Sequence, residues 1–151
     1  MSRISLCVIA RNEEALLPGM LASLENVADE IIVVDTGSTD NTAHIATAAG
    51  AKLVEIEWNE DFAEARNVAL SHATMEWVLV LDCDERLAPG SSDEIRKAVE
   101  SEEFDLGMIP LHNSRSMSSS FEDVLNGTAR QGEPVLLPRL FRRCEDLRWQ
   151  G

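Results

Sequence analysis

Two carboxylate clusters each follow a short apolar run. Ile31-Ile32-Val33-Val34 leads into Asp35-Thr36-Gly37-Ser38-Thr39-Asp40, and Trp77-Val78-Leu79-Val80-Leu81 leads into Asp82-Cys83-Asp84-Glu85. Carboxylates brought together call for a cation. Mg²⁺ and Mn²⁺ prefer oxygen ligands and share them with substrate phosphates. On an extended segment side chains alternate with period two, which would put Asp82 and Asp84 on one side, able to hold such an ion. The same triplet can also be a solvated turn. Asp35 reads either as an N-cap or Asx-turn acceptor, or as an acceptor for the base or ribose of a nucleotide. Arg66, in Ala65-Arg66-Asn67, sits among small residues. It belongs either to a solvated helix face or to a crevice where it pairs with a carboxylate or phosphate. Arg11-Asn12-Glu13-Glu14 follows the first apolar run, with Asn12 placed as an N-cap and Glu13 and Glu14 favoured in a first helical turn.

The elements that must position these residues alternate. Ile4–Ala10 reads as a strand. Leu16, Leu17, Met20, Leu21, Leu24 and Val27 make one face of a helix from Glu13 to Val27. Glu30–Asp35 is a second strand. Gly37 suits a turn at positive φ, and Ser38, Thr39 and Asp40 are N-cap candidates for a helix ending before Gly50. Ala51–Ile56 is a third strand, and Asp61–Ala73 a helix with Phe62, Ala65, Ala69 and Leu70 inward. Trp77–Leu81 is a fourth strand. Pro89-Gly90-Ser91-Ser92-Asp93 opens a helix to Ser101, Leu106–Leu111 is a strand, and residues 112–132 are a loop with a weak strand at Phe121–Leu125. Val135–Phe141 is a last strand, with Pro138 marking an edge or a bulge. Strands alternating with helices imply an α/β fold with a mostly parallel sheet. In such sheets ligands bind outside the carboxyl ends of the strands, where both carboxylate clusters fall.

The chain has 151 residues, 44% of them hydrophobic and 26% charged. That is one domain's worth of ordinary globular sequence. A formal charge of −14 argues against a nucleic-acid partner. The acidity serves solubility, or it means that an anionic substrate arrives with a metal. Cys7, Cys83 and Cys144 are widely spaced, which argues against a disulfide framework or thiolate zinc site and fits a reducing compartment. The first apolar run is short and followed by charge, unlike a signal peptide, and no run is long enough to cross a bilayer.

Taken in order and spacing, these stretches resemble the family 2 glycosyltransferases of the GT-A fold. The matching words are Ile4 to Glu14, Ile31 to Asp40, Ala65-Arg66-Asn67 and Val80 to Glu85, within residues 3–100. Thr36 in the Asp35–Asp40 stretch is similar to a branch that includes bacterial lipooligosaccharide glucosyltransferases of the cell envelope. So are Leu137-Pro138-Arg139-Leu140-Phe141-Arg142-Arg143 and Leu147-Arg148-Trp149. The resemblance implies a three-layer α/β/α sandwich with a mostly parallel central sheet. It implies one nucleotide-sugar-binding domain over 1–151, with 1–100 the donor-binding half and 101–151 the start of an acceptor half. It implies that Ile9, Arg11, Glu13 and Asp35 hold the uridine and that Arg66 lies near the nucleotide or its phosphates. Asp82 would approach the ribose and the metal, and Asp84 would coordinate Mn²⁺ or Mg²⁺ on the diphosphate.

The implied activity is transfer of a hexose from a UDP-sugar to a glycan, lipid-linked or protein acceptor, with inversion. The implied setting is cytoplasmic, at the cytoplasmic face of the inner membrane if the basic residues Arg139, Arg142, Arg143 and Arg148 meet an anionic surface. Solvated charge is the plainer reading of those four. The chain departs from the family where Asp35-Thr36 replaces two adjacent carboxylates and where Met75-Glu76 replaces a Gly-acid pair. Related sequences are expected to continue past Gly151 into a His-Glu pair and an acceptor-binding segment. Inverting transfer needs a general base. Glu133, Glu145 and Asp146 lie in the right region, and no motif selects one of them. Two rivals remain: a nucleotide-sugar-binding module without transfer, and a sugar-phosphate nucleotidyltransferase. The latter would need a Gly- and Arg-rich loop after the first strand, where this chain has Ala10-Arg11-Asn12-Glu13.

Overall fold

The computed structural model describes residues 1–24 and 26–151. The elements run β1 Ile4–Ala10, α1 Leu17–Ala22, β2 Glu30–Asp35, α2 Thr42–Ala48, β3 Lys52–Glu55, α3 Phe62–His72 and β4 Trp77–Val80. They continue with α4 Ser91–Ser101, β5 Leu106–Leu111, α5 Phe121–Leu125 and β6 Val135–Arg142. One six-stranded sheet takes the order β3-β2-β1-β4-β6-β5. β3, β2, β1 and β4 are parallel, while β6 runs antiparallel to both β4 and β5.

Strand alternation divides the core in two. Ile4, Leu6 and Val8 of β1, Val33 of β2, and Trp77 and Leu79 of β4 pack with Leu17 and Met20 of α1 and Ile95 and Val99 of α4. Cys7, Ile32, Val34, Val78 and Val80 face the other way, onto Ala65 and Ala69 of α3. β1, β2 and β4 are buried on both faces, as strands of a sheet covered on both sides must be. The result is the expected α/β sandwich with a mostly parallel sheet.

Several local expectations change. The first helix is shorter than Glu13–Val27, because Pro18 sits at its opening turn and fixes where it starts. Turns closed onto the Glu13 carbonyl precede it. Glu25, within the expected helix, lies outside the described residues. Phe62 is not inward. It is 59% exposed at the first position of α3, edge-on to Trp58, and the inward face is made by small residues that let the helix lie close on the sheet. Residues 121–125 form α5 rather than a weak strand. The Ser120 hydroxyl accepts the Asp123 N–H at 3.1 Å, and Ser120-Phe121-Glu122-Asp123 is a capping-box spacing. Pro138 marks a bulge and not an edge, since β6 lies between β4 and β5.

Candidate functional site

β2, β1 and β4 are neighbours, so the loops after their carboxyl ends gather along one rim. The first two loops are laced together. The Asn12 side-chain oxygen accepts the Thr39 N–H at 2.8 Å, and the Asn12 N–H donates to the Ser38 hydroxyl at 2.9 Å. The Glu13 N–H donates to the Thr42 hydroxyl at 2.7 Å, and the Glu14 carboxylate accepts the Asn41 N–H at 3.0 Å. Asn12 is therefore not the N-cap of α1. It takes a left-handed backbone, φ 54°, which Asn tolerates better than most residues, and spends its amide across the loop. Asp40 prepares α2 by accepting the Thr42 N–H at 2.9 Å, while Ser38 and Thr39 serve Asn12 instead of capping.

Asp35 fills the first of its expected roles, the Asx-turn acceptor. It is 1% exposed. Its Oδ1 accepts the N–H groups of Gly37 at 2.9 Å and Ser38 at 2.7 Å, an Asx turn that shapes the loop. Its Oδ2 is buried with no partner among the described residues. A buried carboxylate oxygen left alone is costly and marks a place where a ligand donor or water belongs.

The Asp82 loop is not extended. The Glu85 N–H donates to the Asp82 carbonyl at 3.0 Å, and the Glu85 carboxylate accepts the Asp82 N–H at 2.9 Å. The triplet therefore lies in a tight turn in which Cys83 is buried, Asp82 half-buried and Asp84 exposed. Arg86 fastens this turn to α1, donating to the carbonyls of Cys83, Glu85 and Leu16 at 2.8, 2.7 and 2.7 Å.

The local charge is strongly negative. Burial raises the Glu13 carboxyl above its usual range, and the charges of Asp84 and Asp40 raise it further. Burial, with Glu13, Asp82 and Asp84 around it, pushes the Cys83 thiol up to about 12. Burial of this kind makes a thiol a small packing residue and a poor nucleophile. Among the described residues, no three His, Cys, Asp or Glu side chains are grouped to hold a metal alone. The half-buried Asp82 and exposed Asp84 of one turn are carboxylates of the kind that Mg²⁺ and Mn²⁺ take, one or two at a time, with waters and substrate phosphates. Asp82 and Asp84 would be those carboxylates.

Ile9, Arg66 and Asp82 line one pocket, together with Trp149. The Arg66 guanidinium lies 4.9 Å from the Trp149 ring centre, and its Nε is buried without a partner among the described residues. Arg66 thus lines this pocket, beside Trp149. Arg11 does not join the others: it is exposed and forms no hydrogen bond or ion pair among the described residues. The four tail arginines are all engaged: Arg139 with Asp82 and Glu85, Arg142 with Asp105, Arg143 with the Met75 carbonyl, and Arg148 with the Asp146 carbonyl. Nothing in the sequence motifs foretells Trp149 as a wall of this pocket or Arg139 as a partner of Asp82. The irregularity at Pro138 is the nearest cue to the second.

Residues 5–131 match the family described as Glycosyl transferase family 2. The chain belongs to this family. A TPR repeat-containing protein of Synechococcus elongatus is 42% identical over 150 residues, which cover 99% of this chain and 34% of that protein. An uncharacterized glycosyltransferase of Rickettsia typhi is 41% identical over 95 residues, covering 63% of this chain and 32% of its own. Among solved structures, S. aureus TarS 1-349 in complex with UDP-GlcNAc aligns with a TM-score of 0.67 and 26% identity, over 78% of this chain and 37% of that one. Mycobacterium tuberculosis glucosyl-3-phosphoglycerate synthase in complex with UDP aligns with a TM-score of 0.50 and 30% identity, over 56% and 34%. The chain spans about a third of the length of the curated relatives it matches. The fold is that of the GT-A glycosyltransferases, and the family 2 match sets the nucleotidyltransferase alternative aside.

Proposed function

We propose that this chain forms the donor-binding part of a metal-assisted, inverting glycosyltransferase that takes a hexose from a UDP-sugar. Residues 1–100 would be the donor half and 101–151 the start of the acceptor half. The observation that carries the reading is the buried, unpartnered Oδ2 of Asp35 at the carboxyl end of β2. The imide N–H of uracil is a donor of the kind that oxygen lacks. TarS and glucosyl-3-phosphoglycerate synthase, bound to UDP-GlcNAc and UDP, support the choice of nucleotide.

In this reading Ile9 at the end of β1 and Arg11 and Glu13 in the loop after it border the uridine, Arg66 faces the nucleotide or its phosphates, and Asp82 approaches the ribose. Asp84 and Asp82 would hold Mn²⁺ or Mg²⁺, which when bound offsets the charge of the departing diphosphate. The acidic rim repels a bare diphosphate, so the anion is favoured when its charge is already matched. The acceptor is a glycan, lipid-linked or protein hydroxyl, and the base that deprotonates it is unassigned.

Calorimetry with UDP, with and without Mn²⁺, tests this. Binding that strengthens with Mn²⁺, and loses that gain in Asp84→Ala, is the expected result. No binding, or a metal effect indifferent to Asp84→Ala, would sink it. Transfer of labelled sugar then separates an enzyme from a binding module.

A further inference from the structure

The ladder between β5 and β6 slips by one residue. Gly107 faces Leu140 and Met108 faces Pro138, so Arg139 has no partner across it. Arg139 is the extra residue of a β-bulge, the device by which sheets re-aim a side chain. On its other side β6 pairs with β4 only as far as Leu140, opposite Leu79. Arg139 therefore emerges where β4 ends and the Asp82 loop begins.

One guanidinium nitrogen serves two carboxylates: Arg139 Nη2 lies 2.5 Å from Glu85 Oε1 and 3.2 Å from Asp82 Oδ2. The Arg139 and Glu85 side chains are 12% and 10% exposed, against 45% for Asp82. The inner pair is thus fixed and the outer carboxylate is presented. Glu85 also accepts the Asp82 N–H and donates its own N–H to the Asp82 carbonyl. Backbone and one carboxylate oxygen of Asp82 are all held by Arg139 and Glu85. The Asp82 Oδ1 has no protein partner among the described residues, so it is left for solvent or ligand.

We infer that Arg139 is a positioning residue for the metal-diphosphate site, setting the Asp82 carboxylate from a bulge on β6. The inference rests on the reading of Asp82 as a metal and donor contact. Without Arg139, Asp82, Asp84, Glu85 and Glu13 repel one another, and Asp82 must be ordered by the incoming ligand. Partners that orient a metal ligand characteristically change metal affinity about 10–100-fold when removed.

The test is calorimetry on the full chain with Mn²⁺ plus UDP and with UDP alone. Arg139→Met, which keeps the aliphatic stem, is expected to weaken binding in the presence of Mn²⁺ about tenfold and to weaken metal-free UDP binding, where Asp82 meets only the ribose, by a clearly smaller factor. Glu85→Gln should shift the two measurements in the same sense. Arg139→Lys, which keeps the charge on a shorter side chain, should fall between wild type and Arg139→Met, and it carries the test if Arg139→Met fails to fold. Unchanged or tighter Mn²⁺-dependent binding in the folded variants would overturn the inference, as would an equal loss with and without metal. If wild type itself shows no Mn²⁺-dependent UDP binding, the functional reading fails instead.

Discussion

Asn67 grips the backbone of Trp149 from both sides: its side-chain oxygen accepts the Trp149 N–H at 2.7 Å, and its side-chain nitrogen donates to the Trp149 carbonyl at 2.9 Å. A single amide thus substitutes for a strand neighbour and pins the last turn of chain to α3. The pinned indole lies over Arg66 and edge-on to Phe141, 5.7 Å between ring centres. Asn67→Ala removes both bonds and should cost about 1–3 kcal/mol of stability. The Trp149 ring should then become wetter. A lowered urea midpoint with red-shifted tryptophan emission is the expected pair of signals, and an unchanged spectrum would mean that stacking alone holds the indole.

Asp35→Asn separates the two halves of that carboxylate. The Asx turn through Oδ1 survives, so the thermal midpoint should stay close to wild type. Replacing Oδ2 by a donor opposes an incoming N–H. UDP affinity should therefore fall about 10–100-fold, the worth of a hydrogen bond to a charged group. A variant that binds UDP normally would remove Asp35 from the nucleotide.

Acid should also loosen the opposite end of the sheet. Burial pushes the Glu30 carboxyl up, but bonds from the Ser5 hydroxyl and from the N–H and hydroxyl of Thr74 outweigh it, and its pKa ends below the usual value. A depressed carboxyl stabilises the fold at pH above its unfolded value, near 4.5. That contribution disappears as pH falls through the lower folded value. Urea midpoints between about pH 6 and pH 3 should drop less steeply for Glu30→Gln than for wild type. Parallel curves would contradict the assignment.

Thiol chemistry should divide the cysteines cleanly. Cys7 and Cys83 are buried with pKa values pushed up to about 12, whereas Cys144 is exposed. At neutral pH a disulfide reagent should find Cys144 quickly and the other two only after denaturant is added. Rapid reaction of all three would show that the middle of β1 and the turn after β4 open readily.

The sheet was legible because its parallel strands are short apolar runs between turn residues, and that pattern depends little on distant contacts. Asp35, Asp82 and Arg66 could be placed because each follows or faces such a run. The geometry of the Asp82 turn was not legible, because its closure depends on Glu85, whose side chain is fixed from the far end of the chain by Arg139. Asn12 misled for a similar reason: its role is set by Thr39 and Ser38, not by its own helix. The helix at Phe121–Leu125 is signalled by Ser120 and Asp123, a cue that the β-forming Phe121 and Val124 between and beside them mask.

The place of β6 has a consequence for how the chain is made. Trp77, Val78 and Leu79 pair on one side with β1 and on the other with Leu140, Phe141 and Arg142. During synthesis β4 therefore waits with a bare apolar edge until everything from α4 through α5 has emerged. An unpaired edge of that kind is a template for other chains. Interruptions between Ser91 and Gly132 should hinder soluble expression far more than their exposed positions would imply, because they delay the strand that shields β4.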